Sequence, residues 1–380
     1  MMFPFLHQRA AVWTRRWAAT GCTTLWLLCL QSTSALRAEE AWPRNRIRAI
    51  LEAPTRAELE AIRASWENET TAGTDVHVVE RGRLEREGKS FQVHTYRYTV
   101  EGHAQYTAVF APVGARPKSL PILVETRGVS FDYPTRRITD GPFVMSVIGD
   151  LVDDFVIVEP CLRGHELQAI KAVHRAGGDR RDSWEGATRD VMVALSVVSS
   201  VVPAADAERV VSFGLSRGGT VALLHGIRDK RVRAVVAMSA PADWLRLMAR
   251  PEDDWAARIH QAAVSYDGPA DDRAVQFYEW FLQDRAHVPD TELRRRLIAS
   301  SPLHFAESLP PTLVHQGTED SSVPSVNATA LRARFGESGF PEATHQVNVH
   351  QGAGHLLKDS AVAEQTQVFL RRYVLTPAQP

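Results

Sequence analysis

Residues 209–219 read Arg209-Val210-Val211-Ser212-Phe213-Gly214-Leu215-Ser216-Arg217-Gly218-Gly219. Arg209 to Phe213 has the apolar character of a short buried strand, and Thr220 to Arg228 has helical character through Val221, Leu223 and Leu224. Between them stands a Gly-x-Ser-x-Gly match centred on Ser216. Strand, motif and helix in that order predict a nucleophile elbow, a sharp turn that exposes the serine hydroxyl. Such a turn tolerates only minimal side chains two positions before and after the serine, which Gly214 and Gly218 supply, and Gly219 lets the helix lie close to the sheet. The helix N-terminus then aims its free N–H groups at the place where an oxyanion would develop.

A serine hydroxyl needs a base, and the base needs an orienting acid. Downstream, the strand-like Thr312 to His315 runs into Gln316-Gly317-Thr318-Glu319-Asp320-Ser321-Ser322-Val323-Pro324. A carboxylate in a turn after a buried strand suits the acid role, with Asp320 the first choice and Glu319 the fallback. The strand-like stretch ending at Val349 leads to Gln351-Gly352-Ala353-Gly354-His355, which makes His355 the candidate base. His350 reads as structural. His165, His174, His225, His260 and His304 have no metal-ligand spacing and read as surface or core residues.

Around these motifs the pattern alternates. Val76 to Val79, Phe91 to Thr99 and Tyr106 to Phe110 predict antiparallel strands. After Pro121, strands at 122–125, 155–159, 209–213, 234–238, 312–315 and 345–349 alternate with helices near 143–151, 184–201, 218–228, 326–335 and 360–373. That alternation predicts an α/β fold with a mostly parallel central sheet and helices on both faces. Ligands bind such sheets beyond the C-terminal ends of the strands, where the three motifs fall. Residues 240–310 read as a helical insertion after the sixth strand. Its aromatics, among them Trp244, Trp255, Phe277 and Trp280, are expected to pack inward, with a lid over the site as the alternative.

The chain of 380 residues is 44% hydrophobic and 23% charged, ordinary globular composition. Its formal charge of −1 and the lack of a basic run beyond the first residues argue against a nucleic-acid partner. Residues 1–38 have the anatomy of a signal peptide: Arg9, Arg15 and Arg16, the short apolar stretch Leu25 to Leu30, then Ser32-Thr33-Ser34-Ala35. The stretch is too short to span a bilayer, so export to the periplasm or the medium is expected, with no stable membrane insertion after cleavage. A retained N-terminal anchor is the alternative. Those residues hold four arginines and no acid, leaving 40 basic against 45 acidic groups. Of three cysteines only Cys161 would survive cleavage, which excludes an intrachain disulfide. Residues 39–74 read as a helical arm packed on the domain, with Thr55-Arg56-Ala57-Glu58 as a capping box. Residues 75–380 read as a single catalytic domain.

Residues 121–373 resemble the catalytic domain of the prolyl oligopeptidase family of serine peptidases, within the α/β-hydrolases. The matching stretches are Asp206 to Gly219, Glu159-Pro160-Cys161-Leu162-Arg163-Gly164, Ser301-Pro302, Gly317 to Pro324 and Gly354-His355. The resemblance implies Ser216 as nucleophile, Asp320 as acid and His355 as base, working through an acyl-enzyme, with no metal or organic cofactor. Two departures stand out. About 80 residues separate the expected cleavage site from the first parallel strand, too few for the β-propeller of many family peptidases. Where family members carry Tyr-Gly-Gly or His-Gly-Gly, this chain has Thr126-Arg127-Gly128-Val129, so the expected oxyanion donors are the backbone N–H groups of Arg217 and of Val129 or Gly128, with Tyr133 as a substitute hydroxyl. The resulting expectation is a peptidase acting on short peptides. A carboxylesterase or deacetylase acting on small esters is the alternative, and a non-catalytic binding protein on the same fold a third, which the intact triad argues against.

Overall fold

The computed structural model describes residues 49–127, 137–180, 182–249 and 288–376. The expected signal peptide, Gly128, Val129 and Tyr133, and the insertion aromatics Trp255, Phe277 and Trp280 lie outside the described residues.

Helix α1 (Arg56–Glu67) begins at the expected capping box, with Thr55 and Glu58 bonded reciprocally. Strands β1 (Thr74–Arg86), β2 (Lys89–Val100) and β3 (His103–Pro112) form an antiparallel meander. It joins strand β5 (Val156–Cys161) through an antiparallel β3–β5 pairing. From there pairing is parallel, through β4 (Leu120–Thr126), β8 (Ala205–Leu215), β9 (Val232–Met238), β10 (Thr312–Gly317) and β11 (His345–His350). Among the described residues this is one nine-stranded sheet, in the order β1-β2-β3-β5-β4-β8-β9-β10-β11. The chain steps one way from β4 to β5 and the other way from β5 to β8. The C-terminal ends of β4 and β8 therefore border the switch point where such sheets bind ligands.

Successive strand residues face opposite sides, and the apolar runs supply both cores. Leu123, Ile157, Val211, Phe213, Val236 and Leu313 face one side, with α2 (Val144–Ile148) and α8 (Ser360–Leu370). Ile122, Val124, Val158, Val210, Val235 and Val314 face the other, with α3 (Glu185–Val201), α4 (Arg217–Arg228) and α7 (Val326–Glu337).

Three details differ from the expectations. Helix α2 stops at Ile148, because Gly149 turns to φ 53° and the chain continues as a 3₁₀ segment to Asp154. The insertion follows the seventh strand of the large sheet in chain order, not the sixth: the three meander strands and then β4, β5, β8 and β9 precede it. An unexpected hairpin, β6 (Glu166–Gln168) with β7 (Val173–Arg175), lies between β5 and α3. Buried Glu80 of β1 holds its turn, accepting from Lys171 N, Ala172 N and the His174 ring.

Of the insertion, α5 (Trp244–Ala249) and α6 (Asp290–Ala299) are described. Trp244 is fully buried against Trp184, ring centroids 4.4 Å apart, so this aromatic is core. Arg294 of α6 bonds Glu58 at 2.6 and 2.9 Å and also donates to the carbonyls of Ile50, Glu52 and Ala53. Among the described residues no helix is long and apolar enough to cross a membrane.

Candidate active site

Strand β8 ends at Leu215 and helix α4 starts at Arg217, so Ser216 is the single residue of the turn. Its backbone stands at φ 59°, ψ −125°, a region that non-glycine residues avoid and that marks strained functional turns. The glycines around it are sterically required. A Cβ on Gly214 would lie 2.0 Å from the Gly218 carbonyl oxygen, and one on Gly218 would lie 1.9 Å from the Thr126 carbonyl oxygen. A Cβ on Gly219 would lie 2.7 Å from Ala240 Cβ and 3.0 Å from the Met238 carbonyl oxygen. Thr126, at the end of β4, latches the turn by donating its hydroxyl to the carbonyls of Phe213 and Gly218, at 3.0 and 2.6 Å. Ser216 N donates to Met238 O at 2.8 Å, which fixes the turn to the end of β9.

The loops after β10 and β11 bring Asp320 and His355 together. Asp320 offers both oxygens to His355 Nδ1, at 3.0 and 2.9 Å. It also accepts from Ser322 N, Val323 N and the Gln316 amide. Burial pushes its carboxyl upward, but the bonds from His355 and Val323 N outweigh that and hold it below the ordinary aspartate value. The Asp320 side chain is fully enclosed and that of His355 is 23% exposed, so the imidazole reaches solvent while its anchor does not. With Nδ1–H donating to the carboxylate, Nε2 is the nitrogen left to accept a proton. Glu319, the fallback acid, is exposed; its backbone N–H donates to Ala353 O at 3.0 Å and ties the two loops. Ser216 is partly exposed and makes no direct hydrogen bond to His355 in this structure. The end of β9 joins their loops instead: Ser239 donates its hydroxyl to the His355 carbonyl at 2.9 Å.

Arg217 was expected to act only through its backbone N–H. Its guanidinium is buried and donates to His165 Nε2 at 2.8 Å, and its Nε has no partner among the described residues. Burial lowers the Arg217 pKa to about 10. Burial, together with Arg217 and Arg180, pushes His165 down to about 2, which keeps that imidazole neutral. The signal in the sequence was a cation directly after the nucleophile. Arg127, also missed, pairs with buried Glu159 at the ends of β4 and β5. Neighbouring Glu125 accepts from Phe143 N and Val144 N.

This arrangement sets a hydroxyl on a strained turn after β8, beside a helix N-terminus, and a carboxylate-oriented imidazole after β11, three strands along the sheet. The model of the prolyl oligopeptidase family matches residues 154–374, more than half of the chain. No curated protein matches it. Among solved structures, acetyl xylan esterase from Paenibacillus sp. R4 is 18% identical with a TM-score of 0.55, the match covering 88% of this chain and 100% of that one. Acetyl xylan esterase 1 from Thermoanaerobacterium sp. JW/SL YS485 is 16% identical with a TM-score of 0.57, covering 87% and 99%. Acylaminoacyl peptidase from Pyrococcus horikoshii is 14% identical with a TM-score of 0.52, covering 76% of this chain but 43% of that one. At these identities the likeness establishes the α/β-hydrolase fold, and the family match goes further: the chain belongs to the prolyl oligopeptidase family and is a serine hydrolase.

Proposed function

We propose that Ser216, His355 and Asp320 form the catalytic triad and that the enzyme cleaves small acyl compounds through an acyl-enzyme. His355 Nε2 takes the Ser216 proton as Oγ attacks the acyl carbon. The oxyanion that forms is met by the N–H of Arg217 at the start of α4. His355 then passes its proton to the leaving group, and a water repeats the sequence to release the acid. Asp320 holds the imidazole in the tautomer this requires. The observation that carries the reading is the double contact of the Asp320 carboxylate with His355 Nδ1, in one site with a serine at φ 59°.

For the substrate, our first reading is short peptides, supported by membership of the prolyl oligopeptidase family. Small carboxylic esters are the second reading. It is favoured by extent: the match takes in 100% of an acetyl xylan esterase chain and 43% of an acylaminoacyl peptidase chain. We also propose that residues 39–74 are an arm of the catalytic domain. The protein is proposed to be exported, so that mature material recovered outside the cytoplasm begins between Gln31 and Glu40; an intact Met1 or Met2 there overturns this.

The deciding assay sets aminoacyl and prolyl p-nitroanilides beside p-nitrophenyl acetate and butyrate, with Ser216→Ala as control. Anilide turnover lost in the control supports the peptidase reading. Turnover of esters alone, also lost in the control, supports the esterase reading. Activity that survives Ser216→Ala removes that serine from the chemistry.

A further inference from the structure

Strand β9 carries none of the triad, yet its last residue, Met238, and Ser239 just after it touch the segments that carry all of it. Met238 O accepts from Ser216 N at 2.8 Å. Ser239 N donates to His315 O at 2.8 Å, in the strand that leads to Asp320. Ser239 Oγ donates to His355 O at 2.9 Å, across 116 residues of sequence. Ser239 is fully buried and stands at φ 46°, a second non-glycine residue in the left-handed region at this end of the sheet. A strained, buried serine is retained only where the surroundings define it strongly, and here the hydroxyl's acceptor is the main chain of the histidine itself.

We infer that Ser239 is a positioning residue for His355, holding its loop at a fixed height above the sheet so that Nε2 faces the Ser216 turn. The inference rests on the triad assignment. Other bonds fix part of the histidine loop: Gly352 N donates to Thr318 Oγ1, and Glu319 N to Ala353 O. Those bonds tie it to the acid loop. The Ser239 hydroxyl ties it to the strand that also holds the nucleophile turn, and misplacement of a reacting group by about 1 Å is worth about 100-fold in rate.

The test uses the full chain and three measurements: kcat and KM on whichever p-nitrophenyl ester or p-nitroanilide is turned over, the rate of labelling by a fluorophosphonate, and Tm. Ser239→Ala is expected to lower kcat and the labelling rate about 10- to 100-fold in parallel, with KM within about twofold and the protein folded at the assay temperature. Ser239→Gly, which also lacks the hydroxyl but relieves the backbone at φ 46°, is expected to lose as much turnover while differing in Tm. Wild-type kcat in either variant, or a Tm change with kcat untouched, overturns the assignment. Ser216→Ala and His355→Ala run alongside. If they keep activity, the triad falls and Ser239's role with it. If they are inactive while Ser239→Ala is fully active, Ser239's role alone falls.

Discussion

Asp320 and His355 meet through both carboxylate oxygens, and the carboxylate is sealed from solvent while the imidazole is not. Asp320→Asn keeps the shape but turns an amide N–H toward Nδ1, favouring the wrong tautomer. It is expected to cost about 10³- to 10⁴-fold in kcat. Glu319→Gln, altering an exposed side chain, is expected to stay within about twofold. Steady-state kinetics on the two variants check the assignment; a Glu319 effect as large as the Asp320 effect would reverse the roles.

Gly218 and Gly336 separate two uses of one residue type. A methyl on Gly218 meets the Thr126 carbonyl at 1.9 Å, whereas one on Gly336, inside α7, meets nothing within 4 Å among the described residues. Gly336→Ala is expected to stabilise by about 0.5–1 kcal/mol. Gly218→Ala is expected to destabilise by more than about 3 kcal/mol, or to prevent folding. Urea midpoints at neutral pH read both.

Why the elbow and its glycines were legible, while other parts of the site were not, follows from the kind of information each uses. Val210, Val211 and Phe213, then Gly214 and Gly218, act through local patterning and local sterics, which a linear reading captures. Asp320 and Glu319 are adjacent carboxylates in one turn; only the packing of that turn against His355 distinguishes them. The β6–β7 hairpin is short and charged, and the carboxylate that holds it comes from Glu80, far back in the chain. Ser239 was invisible because its hydroxyl bonds a backbone carbonyl, which leaves no trace in residue type.

Two buried histidines predict an acid sensitivity. His315 bonds His350 at 2.9 Å and Thr366 at 3.1 Å, and burial, then His350, push it down to about 3. His165 lies at about 2 for the reasons given above. In the unfolded chain each binds a proton near pH 6.5; in the folded protein neither does until far lower. Their stabilising contribution is complete above about pH 6.5. It falls as pH drops toward 3, by at most about 1.4 kcal/mol per pH unit for each. Denaturant midpoints measured from pH 7.5 to 5 should fall, and His315→Gln should reduce that slope. An unchanged slope would mean that His315 titrates normally.

Arg217 differs from the other buried arginines of the site region. Arg163 pairs with Asp182 and Asp190, and Arg228 with Glu69, while among the described residues the Arg217 guanidinium bonds only the neutral His165 imidazole. A buried cation with no carboxylate bonded to it among the described residues is costly, so Arg217→Met is expected to leave Tm unchanged or higher. The charge belongs to the residue directly after the nucleophile, and a positive charge in that region favours a developing oxyanion, so kcat should fall about tenfold. A lower Tm with unchanged kcat would make the arginine purely architectural.

The clasp of Arg294 on Glu58 and on the carbonyls of Ile50, Glu52 and Ala53 also sets a timetable for biogenesis. Its arginine is translated 236 residues after Glu58. At ribosomal speeds of about 5–20 residues per second, the beginning of the described chain waits on the order of ten to fifty seconds for its partner to be made. During that interval Trp66, which ends up bonded to Glu185 and packed at a tilt against Phe305, has neither neighbour for part of the wait. The nascent chain thus carries Trp66 on α1 without its Phe305 neighbour until its last third appears.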